Sequence, residues 1–193
     1  MALTQVTEPY VSNKANPLTD GLCREGMRRA ARSLRRAYEH GDDAGAREDM
    51  ALVSLFGGLA LANAKLGAVH GFAGPLGGMF AAPHGAVCAS LLPHVMAVNV
   101  RALQERAPDG EALRRYDEMA RLLTGDGRAT AAYGVAWVQE LCAALRVPPL
   151  SAYGLTETDF PLLIGKAAAS SSMKGNPVVL TPDEMGEILA RSL

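Results

Sequence analysis

Apolar residues in this chain recur every three to four positions, and nowhere do apolar and polar residues alternate long enough to line a sheet. That periodicity points to an all-α chain, a multi-helix bundle. Turn residues between the periodic stretches set the helix limits. Asn16-Pro17-Leu18-Thr19-Asp20 reads as a stop followed by a cap, predicting a helix to about His40 that Gly41 closes. Cys23, Met27, Ala30, Leu34, Ala37 and Tyr38 form its buried stripe. Arg24, Arg28, Arg32, Arg35 and Arg36 fall on the remaining faces and read as solvated. A second helix is expected over 44–66, with Met50, Val53, Phe56, Leu59 and Ala60 inward. Gly57-Gly58 in its middle costs about 1 kcal/mol per glycine relative to alanine, which points to close helix packing. Residues 67–83 are glycine-rich and broken by Pro75, so a short helix between loops is expected there. Further helices follow from His84 (bent at Pro93), then over about 110–123, 129–145 and 157–169. The last opens at Thr181-Pro182-Asp183-Glu184, with Thr181 as N-cap, proline at the first position and Glu184 completing a capping box.

Composition narrows the class further. Hydrophobic residues make up 49% and charged residues 20% of 193 residues, which suits one domain over 1–193 with a substantial core. With 19 basic against 20 acidic side chains, nothing recommends nucleic acid or a membrane as partner. Charged or turn residues interrupt every apolar run, so no membrane span is expected. Met1 to Tyr10 lacks the basic, then apolar, pattern of a signal peptide. Cys23, Cys88 and Cys142 are widely spaced, as expected of reduced thiols in a cytoplasmic protein.

Chemistry concentrates between Leu66 and Gly85. His70 and His84 stand 14 positions apart, separated by four glycines and Pro75, which let the backbone fold back. His84 follows Pro83 and opens a helix, whose positive dipole end keeps the ring neutral and available to a metal. On these residues alone the pair reads either as metal ligands or as satisfied core histidines.

The run Gly67-Ala68-Val69-His70-Gly71, then Pro83-His84-Gly85, then Leu91-Leu92-Pro93-His94-Val95 resembles the iron-containing (group III) alcohol dehydrogenases. Ala2-Leu3-Thr4, Tyr10-Val11-Ser12 and Ala15-Asn16-Pro17 are similar to the same family. So are Ser172-Met173-Lys174-Gly175-Asn176-Pro177 and Leu180-Thr181. The resemblance covers practically the whole chain and implies that family's C-terminal helical domain, with its dehydroquinate synthase-like fold. It implies a divalent metal, Fe(2+) or Zn(2+), held by one aspartate and three histidines. The two later histidines match His70 and His84. The aspartate falls on Met1 and the first histidine on Gln5, which leaves Gln5 as a weak ligand or a substrate contact. A further active-site histidine falls on Gly74, and His94 is taken as structural.

NAD(P) is held in that family by an N-terminal nucleotide-binding domain. No strand leading into a glycine-rich turn and a helix is read here. The resemblance therefore implies a metal-dependent, NAD(P)-linked alcohol dehydrogenase domain, acting on an alcohol and its aldehyde or ketone. It is expected to be incomplete and inactive alone, whether a natural short protein or a fragment of a longer one. The alternative is a non-catalytic helical subunit or pseudoenzyme that binds a partner. Exposed cleft walls on an isolated domain predict a homo-oligomer.

Overall fold

The computed structural model describes residues 1–193 and contains nine α-helices and no strand. They are α1 (Ala2–Val11), α2 (Pro17–Glu39), α3 (Ala44–Asn63), α4 (Ala68–Met79), α5 (His84–Arg106), α6 (Glu111–Thr124), α7 (Ala131–Ala144), α8 (Phe160–Ala169) and α9 (Pro182–Arg191). The all-helical expectation holds.

Local side-chain caps mark the starts of α2, α3 and α9. At α2, Thr19 N–H donates to Asn16 Oδ1 at 3.1 Å and Asn16 N–H returns a bond to Thr19 Oγ1 at 3.1 Å. At α9, Glu184 N–H donates to Thr181 Oγ1 and Thr181 N–H to Glu184 Oε2, the reciprocal box read from the sequence. The α2 arginines serve mainly as ion-pair partners. Arg29 and Arg32 both bind Asp49 of α3, Arg24 binds Glu118 of α6, and Arg36 pairs with Asp43.

Several expectations need correction. Helix α1 has no counterpart among the expected helices, because it is short, contains Pro9 and has no capping side chain. It is nevertheless central: Leu3, Val6 and Tyr10 are buried in the main core, and α1 packs against both α2 and α3. Helix α4 is not broken at Pro75 but runs through it for 12 residues. The cost is one missing N–H, which a helix packed on α5 and α8 can bear. Tyr38 and Leu59, expected inward, are 58% and 43% exposed. Leu59 shares an outward apolar face of α3 with Leu55 and Ala62. Of the paired glycines, Gly57 meets the packing argument, since a Cβ there would stand 2.8 Å from Gln5 Cβ. Gly58 faces open space.

Helix α5 is long and apolar enough to cross a membrane, contrary to the expectation that every apolar run is interrupted. Its most apolar stretch is 72% buried, with Val87, Leu91, Val95 and Val98 facing the core as their spacing predicts. Helix α5 is thus the central core helix. The corner that matters most for chemistry lies at the end of α3, where the chain turns through 97° into α4.

Candidate metal centre

That turn leaves α4 without a cap of its own. Gly67 precedes the helix and carries no side chain, so the first N–H groups need partners from elsewhere. Two remote residues supply them. Ala68 N–H donates to Asn176 Oδ1 at 3.1 Å, and Val69 N–H donates to Glu8 Oε1 at 2.7 Å. The approach is close enough to favour glycine: a Cβ at residue 67 would lie 3.0 Å from both acceptors, which would have to give way. Nearby, a Cβ at Gly175 would lie 2.1 Å from the Leu66 carbonyl oxygen, so the 172–177 segment also depends on glycine to seat Asn176.

Glu8 has a second oxygen, and it fixes His70. His70 Nδ1–H donates to Glu8 Oε2 at 2.5 Å, with both side chains buried. The opposite ring nitrogen, Nε2, is then directed to the far side, where Cys88 Sγ lies 3.8 Å away. His84 and Cys88 stand one turn apart at the start of α5, and His84 Nε2 lies 3.5 Å from the same sulfur. The two ring centroids are 5.4 Å apart at an interplanar angle of 54°. One nitrogen of each ring and the sulfur all lie within 4.8 Å of one another. The two histidines therefore converge from different helices, one buried and one exposed.

Electrostatics separates the rings. Burial works against charge on His70, but hydrogen bonds with Cys88 and Glu8 outweigh it, and its pKa is raised to about 9. His84 is lowered from its ordinary value, by burial first and then by the neighbouring charge of His70. A buried carboxylate–imidazole pair beside a second imidazole whose charge is suppressed is an arrangement suited to a cation at the shared point.

The Gln5 side chain packs against Gly57 of α3, and the hydrogen bonds of the rings go to Glu8 and Cys88. Met1 sits near Gly85 at the start of α5. Gly74 is exposed, with open space where a side chain would be. His94 lies apart, in a pocket shared with Arg191 and Leu193. Sequence reasoning missed Glu8 and Cys88. Both left a trace: Glu8 is the sole charged side chain in residues 1–13, and Cys88 follows His84 at the i, i+4 spacing that puts two side chains on one helix face.

A model described as the Fe-containing alcohol dehydrogenase family, C-terminal, matches residues 1–193. The chain belongs to the iron-containing alcohol dehydrogenase family. It is 37% identical to the 1,3-propanediol dehydrogenase of Citrobacter freundii over 192 residues, covering 99% of this chain and 49% of that protein. It is 35% identical to alcohol dehydrogenase 4 of Schizosaccharomyces pombe, covering 100% of this chain and 44% of that protein. Among solved structures, a 1,3-propanediol oxidoreductase superposes with a TM-score of 0.89 at 35% identity, covering 100% of this chain and 50% of that one. An alcohol dehydrogenase from Oenococcus oeni gives 0.87 at 31% identity, covering 100% and 49%. The chain spans about half the length of the curated relatives it matches.

Iron-containing alcohol dehydrogenases imply a metal, and the donors here fit that implication in part. His70 and His84 converge and His70 has its orienting carboxylate. The positions expected to carry an aspartate and a further histidine hold Met1 and Gln5, whose thioether and amide are poor donors for a hard divalent ion.

Proposed function

We propose that this chain is the metal-binding half of an NAD(P)-linked alcohol dehydrogenase, competent only when a nucleotide-binding half completes it. The observation that carries this reading is the convergence of His70 and His84 across α4 and α5, with Glu8 behind the buried ring. His70 and His84 would hold Fe(2+) or Zn(2+), which when bound supplies Lewis acidity toward a substrate hydroxyl. Glu8 holds the proton on His70 Nδ1, so that Nε2 is the nitrogen that would give up its proton to a metal. Gly74, Gly77 and Gly78 leave one side of α4 bare, giving a substrate access to the backbone near the rings. Gln5, one turn from Met1 on α1, remains a candidate weak ligand or substrate contact.

Hydride transfer needs the nicotinamide within about 3.5 Å of the reacting carbon. A dinucleotide site of the usual kind is built on strand, turn and helix, and these nine helices offer no such unit. The names of two relatives, 1,3-propanediol dehydrogenase and lactaldehyde reductase, support a small alcohol and its aldehyde as the substrate pair. The test is to fuse residues 1–193 to the nucleotide-binding half of the Citrobacter freundii relative and follow NAD(P)H at saturating metal. Turnover of a small alcohol or aldehyde that disappears in His70→Ala and His84→Ala is expected. A folded, metal-loaded fusion without turnover overturns the proposal. That result favours the second reading, a non-catalytic subunit or pseudoenzyme, to which Gln5 and Gly74 lend weight.

Leu55, Leu59 and Leu61 are 56%, 43% and 42% exposed, and uncovered apolar surface of this kind drives association. The isolated chain is accordingly proposed to be a homo-oligomer in the cytoplasm, where its three free thiols stay reduced. Light scattering that finds only monomer at high concentration overturns the assembly.

A further inference from the structure

The sulfur of Cys88 is approached by two imidazole nitrogens. With His70 protonated, its Nε2–H and the Cys88 S–H satisfy both contacts in the metal-free chain. A cation at the centre replaces those two protons, and the distances suit one. Tetrahedral zinc, with Zn–N of about 2.0–2.1 Å and Zn–S of about 2.3 Å, sets the nitrogen–sulfur edges at about 3.6 Å. The observed edges are 3.5 Å to His84 and 3.8 Å to His70. The two ring nitrogens lie within 4.8 Å of each other, so seating an ion requires the rings to turn inward, and His84 is exposed and able to do so.

Charge leads to the same place. Two neutral imidazoles bring no negative charge to a dication. The Glu8 carboxylate is engaged by His70 Nδ1 and by the first turn of α4. Cys88 is the remaining group at the convergence that can become an anion.

We propose that Cys88 is the third protein ligand of a His2Cys site, formed with His70 and His84, that selects zinc over iron(II). On binding, the thiol gives its proton to solvent, a metal–sulfur bond forms, and no electron is transferred. A fourth position stays open to water or substrate, as in catalytic zinc sites with three protein donors. The thiolate sets the preference, because soft sulfur favours zinc over iron(II). The inference shares with the proposed function the premise that both histidines bind metal, and the experiment separates the two.

Cobalt(II) serves as the probe, titrated anaerobically into the 193-residue chain and into Cys88→Ala, Cys88→Ser and His70→Ala. Wild type is expected to show a thiolate-to-cobalt charge-transfer band in the near ultraviolet, with intense tetrahedral visible bands. Both Cys88 variants lose the charge-transfer band. Their affinity falls by more than the roughly 10- to 100-fold that loss of an outer-shell partner costs. Circular dichroism identifies variants that retain the fold, and serine keeps the volume should alanine not. Equimolar zinc is expected to displace the cobalt, whereas equimolar iron(II) is not. Wild-type cobalt binding that lacks the sulfur band and is unchanged in folded Cys88 variants overturns the cysteine ligand while leaving the histidine reading intact. Failure of wild type to bind cobalt at all overturns both. Displacement by equimolar iron(II) overturns the selectivity.

Discussion

The first turns of α9 and α4 face the same need, free N–H groups at a helix start, and meet it differently. Helix α9 is capped by its own neighbours, Thr181 and Glu184, within one stretch of chain. Helix α4 is capped by Glu8 and Asn176, which stand 61 and 108 positions away in sequence. A local cap stabilises one helix. A remote cap also fixes where that helix sits, and at α4 it fixes the orientation of His70.

The strongest way to break this contrast is Glu8→Ala. It removes a bond to Val69 N–H and strands a buried imidazole, so a loss of roughly 3–5 kcal/mol is expected in urea unfolding. Glu8→Gln, which is gentler on packing, is expected to weaken cobalt binding by about 10- to 100-fold. An unchanged cobalt affinity in folded Glu8→Gln would show that the carboxylate only caps.

A pH series on the metal-free chain tests the same pair. His70 is raised to about 9 in the folded protein, against about 6.5 when unfolded. The stability it contributes is therefore complete below about pH 6.5 and is lost as pH rises through 9, by roughly 3 kcal/mol. Glu8→Gln should flatten that slope; a wild-type stability constant from pH 6 to 10 contradicts the assignment.

Next in size is Asn176→Ala. The Asn176 side chain accepts from Ala68 N–H and exchanges bonds with Asn99, while its amide also donates to the Val178 carbonyl. About 2 kcal/mol should be lost, measured by the shift in denaturation midpoint. Thr181→Ala marks the small end of the comparison, at about 1 kcal/mol with metal affinity unchanged. A metal effect from Thr181→Ala would erase the distinction between the two kinds of cap.

The same contrast explains how much could be read from the sequence. Helices α2 and α9 announce themselves because Asn16/Thr19 and Thr181/Glu184 lie within four residues of each other, and buried apolar positions repeat at helical spacing. Helix α1 does not, since its stability comes from Leu3, Val6 and Tyr10 packing into a core assembled by distant chain. At the site, His70 and His84 are visible as residues of the right type around a glycine-rich turn, strengthened by the family motifs. Glu8 and Cys88 are not. A lone carboxylate and a lone thiol acquire meaning only when α1, α4 and α5 meet, and no pattern in one segment encodes that meeting. Leu59 misleads for the converse reason: helical spacing gives an apolar face but not whether anything covers it.

Glu8 ties the seating of the amino-terminal segment to the orientation of a ring 62 positions further on. By linkage, an ion that favours the oriented ring must favour the docked segment to the same extent. Amide hydrogens of residues 3–11 and 68–73 should then exchange more slowly with solvent deuterium when the ion is present, their protection rising together rather than separately.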